Sequence, residues 1–397
     1  MRRILTSYFV AMMLMFVLVG CSAGADDVVV PEGPETEGTP LKFAAYVGRS
    51  SRDGATVHDI ADEAALAEVG GFGVLGYDQG AMKFEQYILD SSTPNFLVNQ
   101  QVWHSSQAAL PGHKGGTVTP GATGEWQYEP VKYFNNNPGA LHSFFAYAPY
   151  DADVEMVYSN TQPPQLSYAI ASDVDLLWSE PVRDKAKPGV TEKITFNFGH
   201  ALAKTTFHVA PFIDLAHAAD AHPLPDTNII PEGTTIRVRS IHINGEIALT
   251  GLLNTATGQW TPDRKGHYYD VPHANAATWT GNGETPVTTY HDVEPSNLLI
   301  PTREATIEVI YDVISGEGAD KSHITNKAES HLTFALDQGK AYDFYLDLGL
   351  TSVKFTAKVV DWTVEKQPEA ELLQIEPITC IQIPWVDVDG AGMDIGL

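Results

Sequence analysis

The chain has 397 residues, with 24 Lys and Arg against 50 Asp and Glu, for a formal net charge of −26. A surface that acidic repels phosphate backbones and anionic lipid, which argues against nucleic-acid binding. A chain of this length suggests two or three domains and buries on the order of 70–75% of its unfolded surface, so it needs no covalent staple.

Arg2 and Arg3 give a basic start, residues 4–19 are almost wholly apolar, and Leu18-Val19-Gly20-Cys21 follows. That is the layout of a lipoprotein signal: the Cys21 thiol is acylated and residues before it are removed. A plain membrane anchor is the alternative, but the apolar run is shorter than the roughly 20 residues a spanning helix needs. Loss of Arg2 and Arg3 takes the charge from −26 to −28. Cys380 is then the single remaining thiol, so no internal disulfide or cysteine zinc site forms in the mature chain.

Residues 22–40 are rich in Gly, Pro and acids and read as a disordered tether, roughly 25 Å across as a flexible coil. From residue 41 the texture is β. Leu41, Phe43, Ala45 and Val47 alternate with polar or small residues, and a polar run containing Arg49 and Arg52 follows. Residues 59–69 have the pattern of a short surface helix. Gly71-Phe72-Gly73-Val74-Leu75-Gly76 matches G-x-G-x-x-G, but residues 72–77 read as a strand and no helix pattern follows. A dinucleotide site needs that loop between strand and helix, so the match is set aside.

Nine aromatic residues crowd residues 103–150: Trp103, Trp126, Tyr128, Tyr133, Phe134, Phe144, Phe145, Tyr147 and Tyr150. Alternation assigns most of them to a core, although Trp103 and Trp126 exposed together would make a sugar-stacking face. Residues 181–189 form a polar, turn-rich break. It divides the chain into domains over about 41–185 and 186–397.

Period-2 alternation resumes at Ile194, Phe196 and Phe198. It returns at Ile236 and Val238, over 307–313, over 342–348 and over 353–359. Short strands punctuated by 33 Gly and 25 Pro make the class all-β sandwich. Residues 214–221 could form a second short helix. His200 with His208, and His217 with His222, lack metal-ligand spacing, and no G-x-S-x-G elbow or phosphate loop is present. No catalytic residue, metal or cofactor is therefore assigned. Carboxylate pairs locate nothing among 50 acids.

After Trp362 come two apolar pieces, Leu372-Leu-Gln-Ile375 and residues 378–388. Ile381, Ile383 and Trp385 share one face of an extended tail, with Val386 and Val388 on the other. Pro384 suits an edge strand better than a central one.

Ordered segments along the chain resemble the fimbrillin family of Bacteroidia. They are Trp126-Gln-Tyr128-Glu-Pro130-Val-Lys132-Tyr133-Phe134 and Leu141-His-Ser-Phe144-Phe145-Ala146-Tyr147-Ala148-Pro149-Tyr150. Phe196-Asn-Phe198-Gly-His200-Ala201-Leu202-Ala203-Lys204 and Leu298-Leu-Ile300-Pro301 follow. The series closes with Gly339-Lys-Ala-Tyr342 and Val353-Lys-Phe355-Thr-Ala-Lys-Val359-Val-Asp361-Trp362. The resemblance implies a type V pilus subunit with two transthyretin-like β-sandwich domains in tandem. It further implies export to the outer membrane as a lipoprotein on Cys21, and Arg-directed removal of the first strand at Arg49 or Arg52. The C-terminal tail of another subunit, from about residue 370 with Ile381, Ile383, Trp385, Val386 and Val388 as donor positions, would then fill the groove.

The expected partners are other fimbrillin subunits, in a homo- or hetero-polymer, the outer membrane through the lipid, and a host glycan or protein. Docking of the tail in its own subunit is an equal alternative for the free monomer. Two rival classes are an accessory subunit that keeps its lipid and a standalone glycan-binding surface lipoprotein.

Overall fold

The computed structural model describes residues 38–47, 60, 62–90, 93–107, 124–172, 174–213, 224–272, 277–316, 321–351, 353–362, 371–374 and 381–383. Expected elements at Cys21, Arg49, Arg52, residues 214–221, His217, His222, Trp385, Val386 and Val388 lie outside them. Among the described residues the protein is all-β, and no helix is long and apolar enough to cross a membrane.

The first part of the chain runs β1 (Phe43–Val47), α1 (Glu63–Glu68), β2 (Phe72–Asp78), α2 (Phe84–Asp90), β3 (Leu97–His104), β4 (Trp126–Gln127) and β5 (Leu141–Ala148). It continues through β6 (Met156–Ser159), β7 (Gln162–Ala169), β8 (Leu177–Ala186) and β9 (Ile194–His200). Next come β10 (Ala203–Pro211), β11 (Thr235–Asn254), β12 (Trp260–Asp270), β13 (Thr278–Thr280) and β14 (His291–Leu299). The chain ends with β15 (Thr306–Ser315), β16 (Ser322–His331), β17 (Lys340–Leu348), β18 (Val353–Asp361), β19 (Glu371–Gln374) and β20 (Ile381–Ile383).

Seven strands form a sheet in the order β1-β9-β8-β5-β2-β3-β4. Its central strands are buried on both faces. Phe72, Val74, Phe144 and Ala146 enter one core, while Leu75, Tyr77 and Phe145 enter another beneath Phe84 and Ile88 of α2. Period-2 geometry makes this division, because successive side chains leave opposite faces. Each glycine of the G-x-G-x-x-G run has a packing reason. Gly71 has φ +82°, and a Cβ there would lie 2.0 Å from the Val102 carbonyl oxygen. A Cβ on Gly73 would enter the Tyr147 ring at 2.4 Å, and one on Gly76 would press Leu97 at 3.1 Å.

A second sheet runs β14-β10-β17-β18-β19, and a third runs β20-β16-β15-β11-β7-β6, with β12 and β13 also paired to β11. These two sheets bury one shared core. Phe207, Val209, Phe344 and Leu346 come from the second sheet, and Ile236, Val238, Val309 and Tyr311 from the third. Strand β11 is 20 residues long. Its inward residues Ile236, Val238, Ile241 and Ile243 lose period 2 at one point, where the register against β15 slips between Val238 and Ser240. That slip is a β-bulge, which bends a strand without ending it.

Strands near residue 185 are distributed between sheets: β6 and β7 pair toward β11, whereas β9 lies between β1 and β8. Residues 181–186, expected as turn, are strand. The β5 ladder holds Val182 opposite Phe144 and Ser179 opposite Ala146, and the register shift between these pairs takes up Pro181.

Candidate functional site

The first strand and its groove are positioned by ordinary β geometry. β1 lies at the end of the seven-stranded sheet, and it pairs in parallel with β9 from Phe43↔Ile194 to Val47↔Phe198. Leu41, Phe43, Ala45 and Val47 are all buried, while Tyr46 on the opposite face is 59% exposed. Phe43 is the central side chain. Its ring lies 5.2 Å from Tyr128, 5.9 Å from Phe196, 6.2 Å from Phe144 and 6.4 Å from Phe72, centroid to centroid. Three of the four pairs are edge-on, the arrangement favoured by ring quadrupoles.

The other side of β1 is closed by the segment after β4. Leu41 N–H donates to the Lys132 carbonyl at 2.8 Å, and Phe134 N–H donates to the Thr39 carbonyl at 3.0 Å. The Tyr128 hydroxyl donates to the Leu41 carbonyl at 3.0 Å and accepts from Lys132 N–H at 3.0 Å. Burial pushes that hydroxyl up to about 12, so it remains a donor throughout the physiological range. Both ends of the sheet thus meet at residues 39–41, and β1 closes an aromatic core whose floor is Phe72, Phe144, Ile194, Phe196 and Phe198. Tyr128 and Lys132 were not singled out from sequence for this role, although both sit in the Trp126–Phe134 segment. Glu129-Pro130 and Ala148-Pro149, in two of the ordered segments, are cis peptides.

The C-terminal tail meets the body at two sheet ends. β19 pairs with β18 from Val359↔Glu371 to Thr356↔Gln374, and β20 pairs with β16 over Lys327↔Ile381, Asn326↔Gln382 and Thr325↔Ile383. Thr325 and Lys327 belong to a charged outer row. Thr325 donates to Asp312 at 2.8 Å, and Lys327 bonds Glu308 and Glu329 at 2.7 Å each. Just before the tail, Lys340 pairs with Asp361, and the Lys204 ammonium lies 5.8 Å from the Trp362 ring centroid.

The other residues weighed from sequence have packing roles. Trp103 is buried. Trp126 is half-buried against Phe72, and its indole donates to Glu63 at 2.8 Å, so the two tryptophans do not form one solvent-facing surface. Phe134, Phe144, Phe145 and Tyr147 are core, whereas Tyr133 is exposed. His208 bonds Asp292 at 2.6 Å and stacks on Tyr345. Burial opposes its protonation, but the hydrogen bonds and charges of Asp343 and Asp292 prevail and raise its pKa. Among the described residues, no three His, Cys, Asp or Glu side chains gather as a metal site.

The chain is similar to several solved structures. A candidate cell adhesion protein from Bacteroides uniformis is 15% identical, with TM-score 0.41, covering 83% of this chain and 100% of that one. Another from Bacteroides eggerthii is 12% identical, with TM-score 0.38, covering 89% and 98%. The tip fimbrial protein Mfa3 from Porphyromonas gingivalis, truncated at its C-terminus, is 8% identical with TM-score 0.33, covering 81% and 100%. No curated protein matches the sequence. The profile of the fimbrillin-like family matches residues 101–362, from within β3 through Trp362, which takes in Phe144, Ile194, Phe196 and Phe198 of the groove floor. That match spans well over half of the 397 residues, and the chain belongs to the fimbrillin-like family.

Proposed function

We propose that the protein is a non-catalytic, adhesive pilus subunit, delivered to the outer membrane as a lipoprotein on Cys21 and assembled by strand exchange. In this reading cleavage at Arg49 or Arg52 frees β1, and the tail of another subunit takes its place. The observation that carries it is the placement of β1: a five-residue strand at a sheet end, with its whole inner face in an aromatic core.

Burying Leu41, Phe43 and Val47 contributes about 5–9 kcal/mol at roughly 1.5–3 kcal/mol per side chain. That is comparable with the whole stability of a typical domain. Removal of β1 would leave both an apolar groove and unpaired amides on β9, and an added strand satisfies both needs together. The register of β20 supports a tail that is available to other partners. It pairs Ile381 with Lys327 and Ile383 with Thr325, and a one-residue slip would exchange the faces.

The test is the N-terminal sequence of protein recovered from the native cell surface. A start at Ser50 or Asp53 is expected. An acylated Cys21 with residues 41–47 still attached would overturn polymerisation through this groove and leave the lipid-retaining accessory subunit.

A further inference from the structure

A second buried point, which joins Ile60 of the groove core to Trp362 of the sandwich core, ties together the two chain ends that strand exchange would use. Ile60 N–H donates to Asp175 Oδ2 at 2.9 Å, and Asp175 Oδ1 lies 2.9 Å from His200 Nδ1. The His200 ring stacks on the indole of Trp362, with centroids 3.6 Å apart and planes 5° from parallel. All four residues are buried, at 3% exposure for Ile60, 1% for Asp175, 2% for His200 and 4% for Trp362. Backbone bonds close the same point: Ala201 N–H donates to Leu176, Gly339 N–H to Leu202 and Trp362 N–H to Gly339, at 2.8, 2.9 and 2.9 Å.

The positions of these residues in the chain give the cluster its meaning. Ile60 follows the cleavage-candidate segment, Asp175 precedes β8, His200 ends β9, and Trp362 is the residue directly after β18. A buried carboxylate is poor evidence of stability for its own sake, because desolvation offsets much of its attraction. Such a network holds geometry instead, and one lost member leaves the rest buried without partners.

We propose that Asp175 and His200 are positioning residues for strand exchange. They form a clasp between the retained chain that follows the departing segment and the residue from which the donor tail runs on. Once β1 leaves, helix α1 has only six residues, too few to persist without tertiary support. Leu66 and Ala67 of α1 are buried, and Leu66 enters the core that β1 closes. The clasp at Ile60 keeps the chain seated from that residue onward. Through His200 and Trp362 the same carboxylate fixes the root of the tail.

The use of the clasp rests on the strand-exchange reading, but its existence is tested on the uncut full-length chain by hydrogen exchange. Asp175→Leu should raise exchange over residues 60–69 and over 353–362 together. The expected rise is about tenfold, as for one buried hydrogen bond lost. β10 and β17 should keep their protection. Asp175→Asn, which can still accept from Ile60 and pair with His200, should restore both regions.

Exchange rising in one region alone or in neither, or an Asn variant as mobile as the Leu variant, would overturn the clasp. Should Asp175→Leu fail to fold, His200→Phe serves in its place. It cuts the link from Asp175 toward Trp362 while leaving the Ile60 bond in place, so 353–362 should loosen and 60–69 should not. The reverse pattern, or no change, overturns the proposal. Failure of strand exchange itself would show separately, in the N-terminus of the surface protein.

Discussion

The seven-stranded sheet and the two-sheet sandwich solve the same burial problem with different redundancy. In the sandwich, Phe207, Phe344, Val309 and Tyr311 come from interior strands with a partner on each side. Loss of an end strand there would leave the facing sheets in contact. In the seven-stranded sheet, Phe43 on an end strand contacts four other aromatic rings, and the closing segment at 132–134 bonds to residues 39–41 and to the Tyr128 hydroxyl. One core is held by many strands, and the other depends heavily on one. Strand exchange, as proposed, calls for the second kind of construction.

The largest test of that contrast is Phe43→Ala, expected to cost about 3–5 kcal/mol in urea unfolding of the uncut chain. The same substitution should be silent once β1 has been removed. Phe344→Ala should cost a similar amount in both forms, and a penalty that vanished on cutting would erase the distinction. Gly73→Ala comes next. Its new methyl meets the Tyr147 ring, and about 1–3 kcal/mol of overpacking should appear as a lowered denaturation midpoint.

Acid separates the regions by another route. Burial alone would raise the Asp312 carboxyl, but Arg237, Thr325, Arg239 and His323 hold it at about 2, below its ordinary 3.8. The group is depressed on folding, so its stabilisation is full above about pH 4 and disappears as pH falls through about 2. The amount is about 2 kcal/mol, and Asp312→Asn should flatten that acid limb in the sandwich. The smallest effect belongs to Tyr46→Ser, on the exposed face of β1, expected within about 0.5 kcal/mol. A larger loss would mean that both faces of β1 are packed.

Much of this architecture is legible in the residues themselves. The alternation at Leu41, Phe43, Ala45 and Val47 reads as a one-sided strand because polar or small residues intervene, and β1 buries that set. The spacing of Ile236, Val238, Ile241 and Ile243 even shows the bulge as a lost period. Helix α2 was not legible, since Phe84 and Ile88 are just one i,i+4 pair in seven residues. Strand β8 was hidden because a polar strand with a proline looks like a turn until a ladder holds it.

The clasp left no local signal. His200 was weighed against His208, eight residues away, but its hydrogen-bond partner is Asp175 and its stacking partner is Trp362. Those contacts exist only after sheets have assembled.

The parallel ladder between β1 and β9 carries a further consequence. Any strand that copies its hydrogen bonds must enter with its N-terminal end beside Ile194 and finish beside Phe198. Each added copy would then face the same way as the one before, through a head-to-tail contact that need never close into a ring. Under the proposed strand exchange, five residue pairs in one subunit would give a fibre two unlike ends.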